Sequence, residues 1–299
     1  MNTDTLTRSF GRRIAVFAFV GSAACIAAFA TADPPTATPS TPAVTKSFQL
    51  PPANEDGWIP LFNGKNLDGW VYKETGAELG EDPKGTVTVE DGILKFDYSN
   101  WDEFKGRFGH LHHVVPFDRY RMRIVYRFVG DQVTGGPGWA YRNSGIMVHG
   151  QDPASMRKDQ DFPVSIEVQL LGGGGQGERP TGNLCTPGTN VELDEKLVTR
   201  HCTNSTSGTY HGDGWVTAEV EVLGNDEIVH IVEGKEVLRY QRPQLDPNDA
   251  DAKMLMQQRK GDVMLDRGWI SLQGESHPVE FKVVEIRPLP AKADATKPE

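Results

Sequence analysis

The residues best suited to chemistry lie in a β-branched run at residues 164–171, VSIEVQLL, in which polar and apolar side chains alternate. In a strand, this alternation puts Glu167 and Gln169 on one face and Ile166 and Val168 on the other. A carboxylate beside an amide on the polar face is typical of the floor of a site for a polar ligand. A solvated outer face without a function gives the same pattern.

A second run, GIMVH at residues 145–149, precedes the first and is separated from it by a polar loop. Alternation puts Gly145, Met147 and His149 on one face of this strand. If Glu167 shares that face, an imidazole and a carboxylate lie within reach of each other, as acid/base catalysis requires. We therefore predict Glu167 and His149 as catalytic residues, with a solvent-facing histidine at a strand end as the alternative for His149.

Polar and aromatic residues near these two runs are candidates for substrate binding. Trp139 and Tyr141 could stack on sugar rings or seal the core. The segment LGGGGQG at residues 171–177 is followed by neither Lys-Ser/Thr nor a helix, so it predicts the rim of a cleft rather than a phosphate loop. The predicted substrate-binding set is Trp139, Tyr141, Arg142, Asn143, Gln169, Glu178, Gln273, Glu275 and His277.

Two groups of residues have side chains of the types that can bind divalent metals. His110 and His112 alternate in GHLHH at residues 109–113, but a polar strand edge is the favoured interpretation of this segment. The other group is Cys185, His201 and Cys202, in which the adjacent His-Cys pair is poor ligand spacing. No cofactor is specified by the sequence, and a divalent metal stays open as an alternative.

The N-terminus has the pattern of an export signal. Arg12 and Arg13 precede an apolar run at residues 14–30, and Ala-Thr-Ala at residues 30–32 matches a cleavage site. We predict a signal peptide at residues 1–32, no stable membrane span after its cleavage, and a periplasmic or extracellular protein. General secretion and twin-arginine export both stay open, and lipoprotein anchoring through Cys25 is disfavoured.

Export leaves two cysteines in the mature chain, Cys185 and Cys202. An even pair in an oxidising compartment predicts a disulfide. A bridge that closes a loop of this size stabilises the fold by about 3 kcal/mol in the chain-entropy model.

The composition excludes one class of partner. The chain has 299 residues, with 31 Lys and Arg against 41 Asp and Glu, for a formal net charge of −10. Because nucleic-acid binding proteins usually present a basic face, we predict no nucleic-acid partner. The oligomeric state is left open.

The chain is predicted to be an all-β protein. Residues 33–47 are predicted to form a Pro/Thr-rich disordered linker, and from residue 48 the sequence predicts short alternating strands with Gly, Asp and Pro turns between them. Only residues 248–256 have a helical pattern. We predict one antiparallel β-sandwich or barrel at residues 48–290, followed by a flexible tail at 291–299.

Five motifs give the chain a family resemblance. They are LFNGKNLDGW at 61–70, NSGI at 143–146, Glu-x-Gln at 167–169, HIVEGKEV at 230–237 and GWISLQGESHPVEFKVVEIRPL at 268–289. Their order and spacing resemble the 3-keto-disaccharide hydrolase domain family, from residue 57 to residue 289. The resemblance implies a concanavalin A-like, jelly-roll β-sandwich. The chain departs from the family pattern in the residues after NSGI and in an insert at 183–210.

The family resemblance also implies a reaction. Members act on glycosides oxidised at C3, where the keto group acidifies the C2 proton, so that the C1 oxygen leaves by elimination and water adds to the enone. Glu167 or His149 would be the base, and Arg142 or a divalent metal would stabilise the enolate. Direct hydrolysis would need a second carboxylate, Glu275 or Glu178. The alternatives are a non-catalytic carbohydrate-binding module of the same fold and a structural envelope protein.

Overall fold

The computed structural model describes residues 48–291. The predicted signal peptide with Cys25, the linker at 33–47 and residues 292–299 of the predicted tail lie outside the described residues.

Within residues 48–291, seventeen strands form two antiparallel sheets. The larger sheet contains β1 (Ile59–Pro60), β3 (Val87–Glu90), β4 (Ile93–Phe96), β6 (Arg119–Phe128), β10 (Thr189–Leu193), β11 (Lys196–Val198), β13 (Val216–Leu223), β14 (Glu227–Val232), β15 (Lys235–Leu245) and β17 (Val279–Pro288). The smaller sheet contains β2 (Trp70–Glu74), β5 (Gly109–His113), β7 (Asn143–Gly150), β8 (Ile166–Leu171), β9 (Asn183–Cys185), β12 (Cys202–Thr203) and β16 (Trp269–Gly274).

The strand order shows many non-sequential neighbours. The larger sheet runs β11-β10-β15-β14-β13-β6-β17-β4-β3, with β1 paired to β17, and the smaller sheet runs β12-β9-β8-β7-β16-β5-β2. The chain crosses repeatedly from one sheet to the other, as in a jelly roll. The predicted concanavalin A-like sandwich of antiparallel sheets is confirmed.

The core lies between the two sheets and is built by strand alternation. In β6 every second residue is buried, from Tyr120 to Phe128, while the arginines between them are partly exposed. These side chains pack against apolar residues of the smaller sheet, such as Ile146 and Ile166. Each sheet therefore has one face in the core, and any site for a polar ligand must lie on the opposite face.

The described residues contain one α-helix, α1 (Ala250–Gln258), two residues later than the sequence predicts. Asp249 caps it by accepting a hydrogen bond from the Ala252 backbone N–H at 2.8 Å. Two 3-10 turns lie at Gly138–Ala140 and Pro153–Ser155. No helix in this part of the chain is long and apolar enough to cross a membrane.

Candidate functional site

The candidate site lies on the face of the smaller sheet that points away from the core, here named the site face. Strand pairing brings its polar residues together, because Met147 of β7 lies opposite both Glu167 of β8 and Ser271 of β16. On β8 the side chains of Ile166 and Val168 enter the core, so Glu167 points to the site face. The predicted alternation of this strand is confirmed.

A glycine at the centre of the site face lets two polar side chains approach each other. A Cβ atom on Gly145 would lie 2.8 Å from Glu167 Oε1 and 3.1 Å from Gln273 Oε1. Any side chain at this position would collide with the carboxylate. The carboxylate of Glu167 and the amide of Gln273 therefore share the space above Gly145.

Glu167 is a buried carboxyl group without a compensating partner. Its exposed fraction is 6%, and it makes no hydrogen bond or ion pair with any residue that the structure describes. Burial raises the pKa of Glu167 to about 8, because the charged form loses its hydration. Such a group can exchange a proton near neutral pH, as a general acid or base must.

Glu275 provides a second carboxyl group next to the first. Burial and, after it, the charge of Glu167 raise the pKa of Glu275 well above its usual range, while Arg179 opposes this rise. One of its oxygens, Oε2, is buried without a hydrogen-bond partner among the described residues. The predicted site residues Glu167, Gln273 and Glu275 are thus neighbours in the fold.

The site face also contains two buried histidines, His110 and His112. The sequence predicts a polar strand edge for them. His110 and His112 of β5 lie opposite Gln273 and Ser271 of β16, and their rings are 6.0 Å apart. Within the described residues, both ring nitrogens of His110 and Nε2 of His112 lack hydrogen-bond partners. Burial lowers the pKa of His112 to about 3, so it is neutral at physiological pH. The alternating GHLHH pattern in the sequence indicated that His110 and His112 share one face of a strand.

A loop at residues 151–165 packs over His110. Phe162 packs edge-on against His110, with ring centroids 5.8 Å apart. Lys73 of β2, itself buried, donates a hydrogen bond from Nζ to the Lys158 carbonyl at 2.8 Å and so ties the loop to the sheet. These buried side chains are isolated from bulk water, which strengthens their mutual electrostatic interactions.

A cavity of about 390 Å³ opens beside Glu167. Asn143, Glu167 and Gln169 form its floor, since all three lie on β7 and β8. The rest of the lining consists of Trp139, Phe162, Cys185, Pro187, His201 and Cys202. This volume fits a small ligand that is held between a polar floor and a mostly apolar wall.

Three further predicted residues lie at or near this cavity. The side-chain amide oxygen of Gln169, Oε1, accepts a hydrogen bond from Asn183 Nδ2 at 3.0 Å, so the position of this side chain is fixed. Asn143 has a buried amide oxygen without a partner in the described part of the chain. Trp139 is 55% exposed and stacks on Phe108 with ring centroids 5.7 Å apart. These residues are placed to contact a ligand.

Tyr141 and His277 contact each other rather than the cavity. Their rings pack edge to face at 5.1 Å, and His277 is fully buried. Burial lowers the pKa of His277 to about 4. Both of its ring nitrogens lack partners among residues 48–291, so His277 adds another unsatisfied polar group near Glu275.

The expectation that His149 shares a face with Glu167 is wrong. A register shift between β7 and β16 falls at this point, and His149 has a φ of 50°. Gly268 passes so close to the His149 backbone that no side chain would fit there. The imidazole turns away and contacts the Gly224 carbonyl at 3.0 Å, in a separate cavity that includes Trp269. His149 therefore cannot act together with Glu167.

Arg142 and Glu178 are also placed away from the cavity. Arg142 has a φ of 43°, and its guanidinium donates hydrogen bonds to the Gly212 carbonyl and to Asp213. Glu178 is exposed and lines a different surface cavity. The adjacent residue, Arg179, points inward instead and donates to the Trp139 carbonyl at 3.2 Å. The expected enolate-stabilising role of Arg142 and the second-carboxylate role of Glu178 have no support in this arrangement.

The predicted disulfide is confirmed. Cys185 of β9 and Cys202 of β12 lie directly opposite each other and are joined, with a sulfur–sulfur distance of 2.02 Å. Among the described residues, Cys185, His201 and Cys202 are also the one group of three potential metal ligands within 4.8 Å of one another. Because the two sulfurs are bonded to each other, they are not thiolates, and this group does not fit a metal.

The chain is similar to several solved structures at low sequence identity. Three similar solved structures are a Parabacteroides distasonis protein provisionally assigned as a glycosyl hydrolase, a Bacillus subtilis protein of unknown function with a galectin-like fold, and the carbohydrate-binding module CBM66 of Bacillus subtilis. The first is 20% identical, with 79% of this chain and 95% of that chain covered and a TM-score of 0.45. The second is 10% identical, with coverages of 82% and 99% and a TM-score of 0.49. The third is 9% identical, with coverages of 72% and 93% and a TM-score of 0.37.

No curated protein matches the chain. The model of the 3-keto-alpha-glucoside-1,2-lyase-like domain matches residues 57–287, almost all of the sandwich. This match covers β2, β5, β7, β8 and β16, which carry the polar residues of the site face. The chain belongs to the 3-keto-alpha-glucoside-1,2-lyase-like domain family, and its function is related to carbohydrate.

Proposed function

We propose that the protein is an enzyme that cleaves the glycosidic bond of 3-keto-glycosides by elimination followed by hydration. The observation that carries this proposal is the pair of buried carboxyl groups, Glu167 and Glu275, both with a raised pKa, beside the unpartnered amide of Gln273. Leaving such groups unsatisfied destabilises a fold, so a role in ligand binding or chemistry explains their presence.

The two carboxyl groups are suited to different roles. With a pKa of about 8, Glu167 is ionised in part of the molecules at neutral pH, and in that form it can act as the base. Glu275 is held in the protonated form by its burial and by the charge of Glu167, so it can act as the acid. Pairs of carboxyl groups whose environments separate their proton affinities commonly divide acid and base roles in this way.

The elimination step then proceeds through an enolate. Glu167 removes the C2 proton of the 3-keto sugar, and the electron pair of the C2–H bond moves to form the enolate at C3. The enolate expels the C1 oxygen, which takes the proton of Glu275, and leaves an enone with a C1–C2 double bond. Amide N–H groups of Gln273 and Asn143 can donate hydrogen bonds to the enolate oxygen.

The hydration step restores both carboxyl groups. Water adds to C1 of the enone, and one of its protons returns to the ionised Glu275. The proton held by Glu167 passes back to C2. The products are the free 3-keto sugar and the released alcohol, so atoms and charges balance and neither an oxidant nor a reductant is needed.

The test is turnover of 3-keto-glucosides compared with turnover of their unoxidised parents. We expect the wild-type protein to release 3-keto-glucose from the oxidised series alone. Glu167→Gln removes the base without changing the size of the side chain and should abolish most of this activity. Glu178→Gln is the matched control, because it makes the same chemical change at an exposed carboxylate that lines a different cavity.

Three outcomes would contradict the proposal. Equal turnover of oxidised and unoxidised glycosides would indicate direct hydrolysis. Equal activity of the Glu167→Gln and Glu178→Gln variants would remove Glu167 from the mechanism. A well-folded wild-type protein that turns over neither series while binding sugar would be a carbohydrate-binding module.

We also propose that the protein is exported. The Cys185–Cys202 disulfide supports this proposal, because such bonds persist in oxidising compartments. The mass of the mature protein from its native host tests the proposed cleavage after residue 32. A mature protein that still begins at residue 1 would contradict it.

A further inference from the structure

The cavity beside Glu167 has two chemically different halves. The floor carries the polar side chains of Asn143, Glu167 and Gln169. The wall carries aromatic rings, a proline and the disulfide, and its polar member is His201. A ligand that fills the cavity must therefore be polar on one side and apolar on the other.

Trp139 is the largest exposed surface of this wall. Its ring is 55% exposed, although one of its faces is stacked on the buried ring of Phe108 at an interplanar angle of 18°. Its backbone carbonyl accepts hydrogen bonds from Asn143 and Arg179, which fixes the turn that carries it. A rigid indole with a free face is a ready platform for stacking another flat ring.

The other members of the wall continue this apolar surface. Phe162 contacts the same Phe108 ring, with centroids 4.8 Å apart. Cys185 lies opposite Glu167 in the paired strands, so the disulfide adjoins the carboxyl group directly. The apolar wall is therefore adjacent to Glu167, the proposed base.

This wall discriminates between two kinds of leaving group. A sugar presents hydroxyl groups all around its ring, and the wall offers few partners for them, so several hydroxyls would lose their hydrogen bonds to water. Each such loss weakens binding of the sugar. An aromatic ring has no such groups and would instead gain by burying its faces against Trp139 and the disulfide.

We infer that the wall formed by Trp139, Phe162, Pro187 and the Cys185–Cys202 disulfide is an aglycone subsite for an aromatic ring. The substrate class is then a 3-keto-glycoside of an aromatic alcohol or phenol rather than of a second sugar. This inference rests on the proposed function, because it names the leaving group of the same reaction.

The experiment compares 3-keto-glucosides whose leaving groups are methanol, benzyl alcohol and glucose. Methanol and benzyl alcohol are alcohols of similar acidity, so a difference between their glycosides reports binding of the ring rather than leaving-group chemistry. We expect kcat/KM for the benzyl glycoside to exceed that for the methyl glycoside by about tenfold or more. One additional aromatic contact contributes binding free energy of that size. The glucosyl substrate should fall below the benzyl one.

Trp139 variants test the origin of that preference. Trp139→Ala should lower kcat/KM for the benzyl glycoside more than kcat/KM for the methyl glycoside and so remove the benzyl preference, whereas Trp139→Phe should retain most of the preference. Leu197→Ala is the matched control, because Leu197 is equally exposed, at 54%, on an edge strand of the other sheet. Equal kcat/KM for the three substrates, or an equal loss for all three in Trp139→Ala, would overturn the inference and leave the proposed function intact.

Absence of turnover for every substrate would overturn the proposed function instead. Calorimetric binding of the unoxidised benzyl and methyl glucosides then decides the subsite. Tighter binding of the benzyl glucoside that is lost in Trp139→Ala would support an aromatic site in a binding protein. Equal binding, or none, would overturn the aromatic site as well.

Discussion

The outer faces of the two sheets use charged residues in opposite ways. On the larger sheet, Arg127 meets Glu280 at 2.6 Å across paired strands, and Arg123 meets Glu285 in the same manner. We name this surface the arginine face. On the site face, Glu167 meets no cation, and neighbouring polar groups lack partners within residues 48–291. The paired charges need no ligand to explain them, whereas the unpaired ones do.

The difference extends to the aromatic residues of each face. The indole of Trp215 on the arginine face is covered by Arg127 and Lys282, at 4.4 and 4.6 Å from its ring centroid. Trp139 on the site face has one free side. Side chains that find partners within the fold stabilise it. Buried polar groups and exposed rings that find no partner are the better candidates for function.

The largest expected contrast between the faces is in activity. Glu167→Gln should lower kcat for a 3-keto-glycoside by about 10²–10⁴-fold, because it removes the base of the elimination. Glu280→Gln on the arginine face changes the same functional group and should leave kcat unchanged. A loss of activity in Glu280→Gln that matches the loss in Glu167→Gln would end the distinction between the faces.

A large effect on stability is expected in acid. Burial lowers the pKa of His112 to about 3 and of His277 to about 4, and His149 and His230 are lowered in the same way. The unfolded chain binds protons on these groups below pH ~6.5, whereas the folded chain binds them only near pH 3–4. Their contribution to stability is therefore complete above about pH 6.5 and is lost as the pH falls from about 6.5 to 4.

Urea denaturation at a series of pH values checks this expectation. The free energy of unfolding should fall by several kcal/mol in total between about pH 6.5 and 4, since each unit of pKa shift corresponds to about 1.4 kcal/mol. A flat profile over this interval would mean that the histidines are hydrated or protonated in the folded protein.

Glu167 should have the opposite pH dependence. Its pKa is raised in the folded protein, so the folded state binds the proton that the unfolded state releases above about pH 4.3. Stability from this group is complete below that pH and is lost as the pH rises to about 8. Glu167→Gln should therefore be more stable than the wild type at pH 8, by about 1–3 kcal/mol, and similar to it at pH 5.

Thermal unfolding of both proteins at the two pH values measures this difference. Lower stability of Glu167→Gln at pH 8 would show that the carboxylate has a stabilising partner. The site face would then resemble the arginine face.

The smallest effect is expected on the arginine face. Glu280→Gln breaks a partly exposed ion pair with Arg127, and such pairs contribute about 0–1 kcal/mol. The decrease in unfolding free energy should shrink further in high salt, because exposed charges are screened. A decrease in unfolding free energy of several kcal/mol that does not depend on salt would contradict this expectation, because it would show that the ion pair stabilises the fold as a buried pair does.

Local patterns in the sequence were enough to predict an antiparallel sandwich or barrel, and the family resemblance favoured the sandwich. The alternation of β6 and β8 assigned each side chain to the core or to an outer face, and the structure agrees. The even number of cysteines in the predicted mature chain led to the disulfide. These features depend on a period of two residues and on residue counting, which a sequence states directly.

The errors at the site have a common physical origin in single backbone angles and in loops. His149 and Arg142 have positive φ values, which turn their side chains away from the direction that alternation predicts. His110 is covered by Phe162 of the loop at 151–165, and Lys73 holds that loop from a distant strand. Neither a bulge nor a long-range covering loop leaves a periodic signal in the sequence.

The central claim is that Glu167 removes the C2 proton of a 3-keto-glycoside. Its most direct test is the kinetic isotope effect on kcat/KM for the methyl 3-keto-glucoside with deuterium at C2. We predict a primary isotope effect in the wild-type protein, since the C2–H bond breaks in the elimination. Cleavage of the C1–O bond with no primary effect from C2 would contradict the mechanism and assign the two carboxyl groups to ordinary hydrolysis.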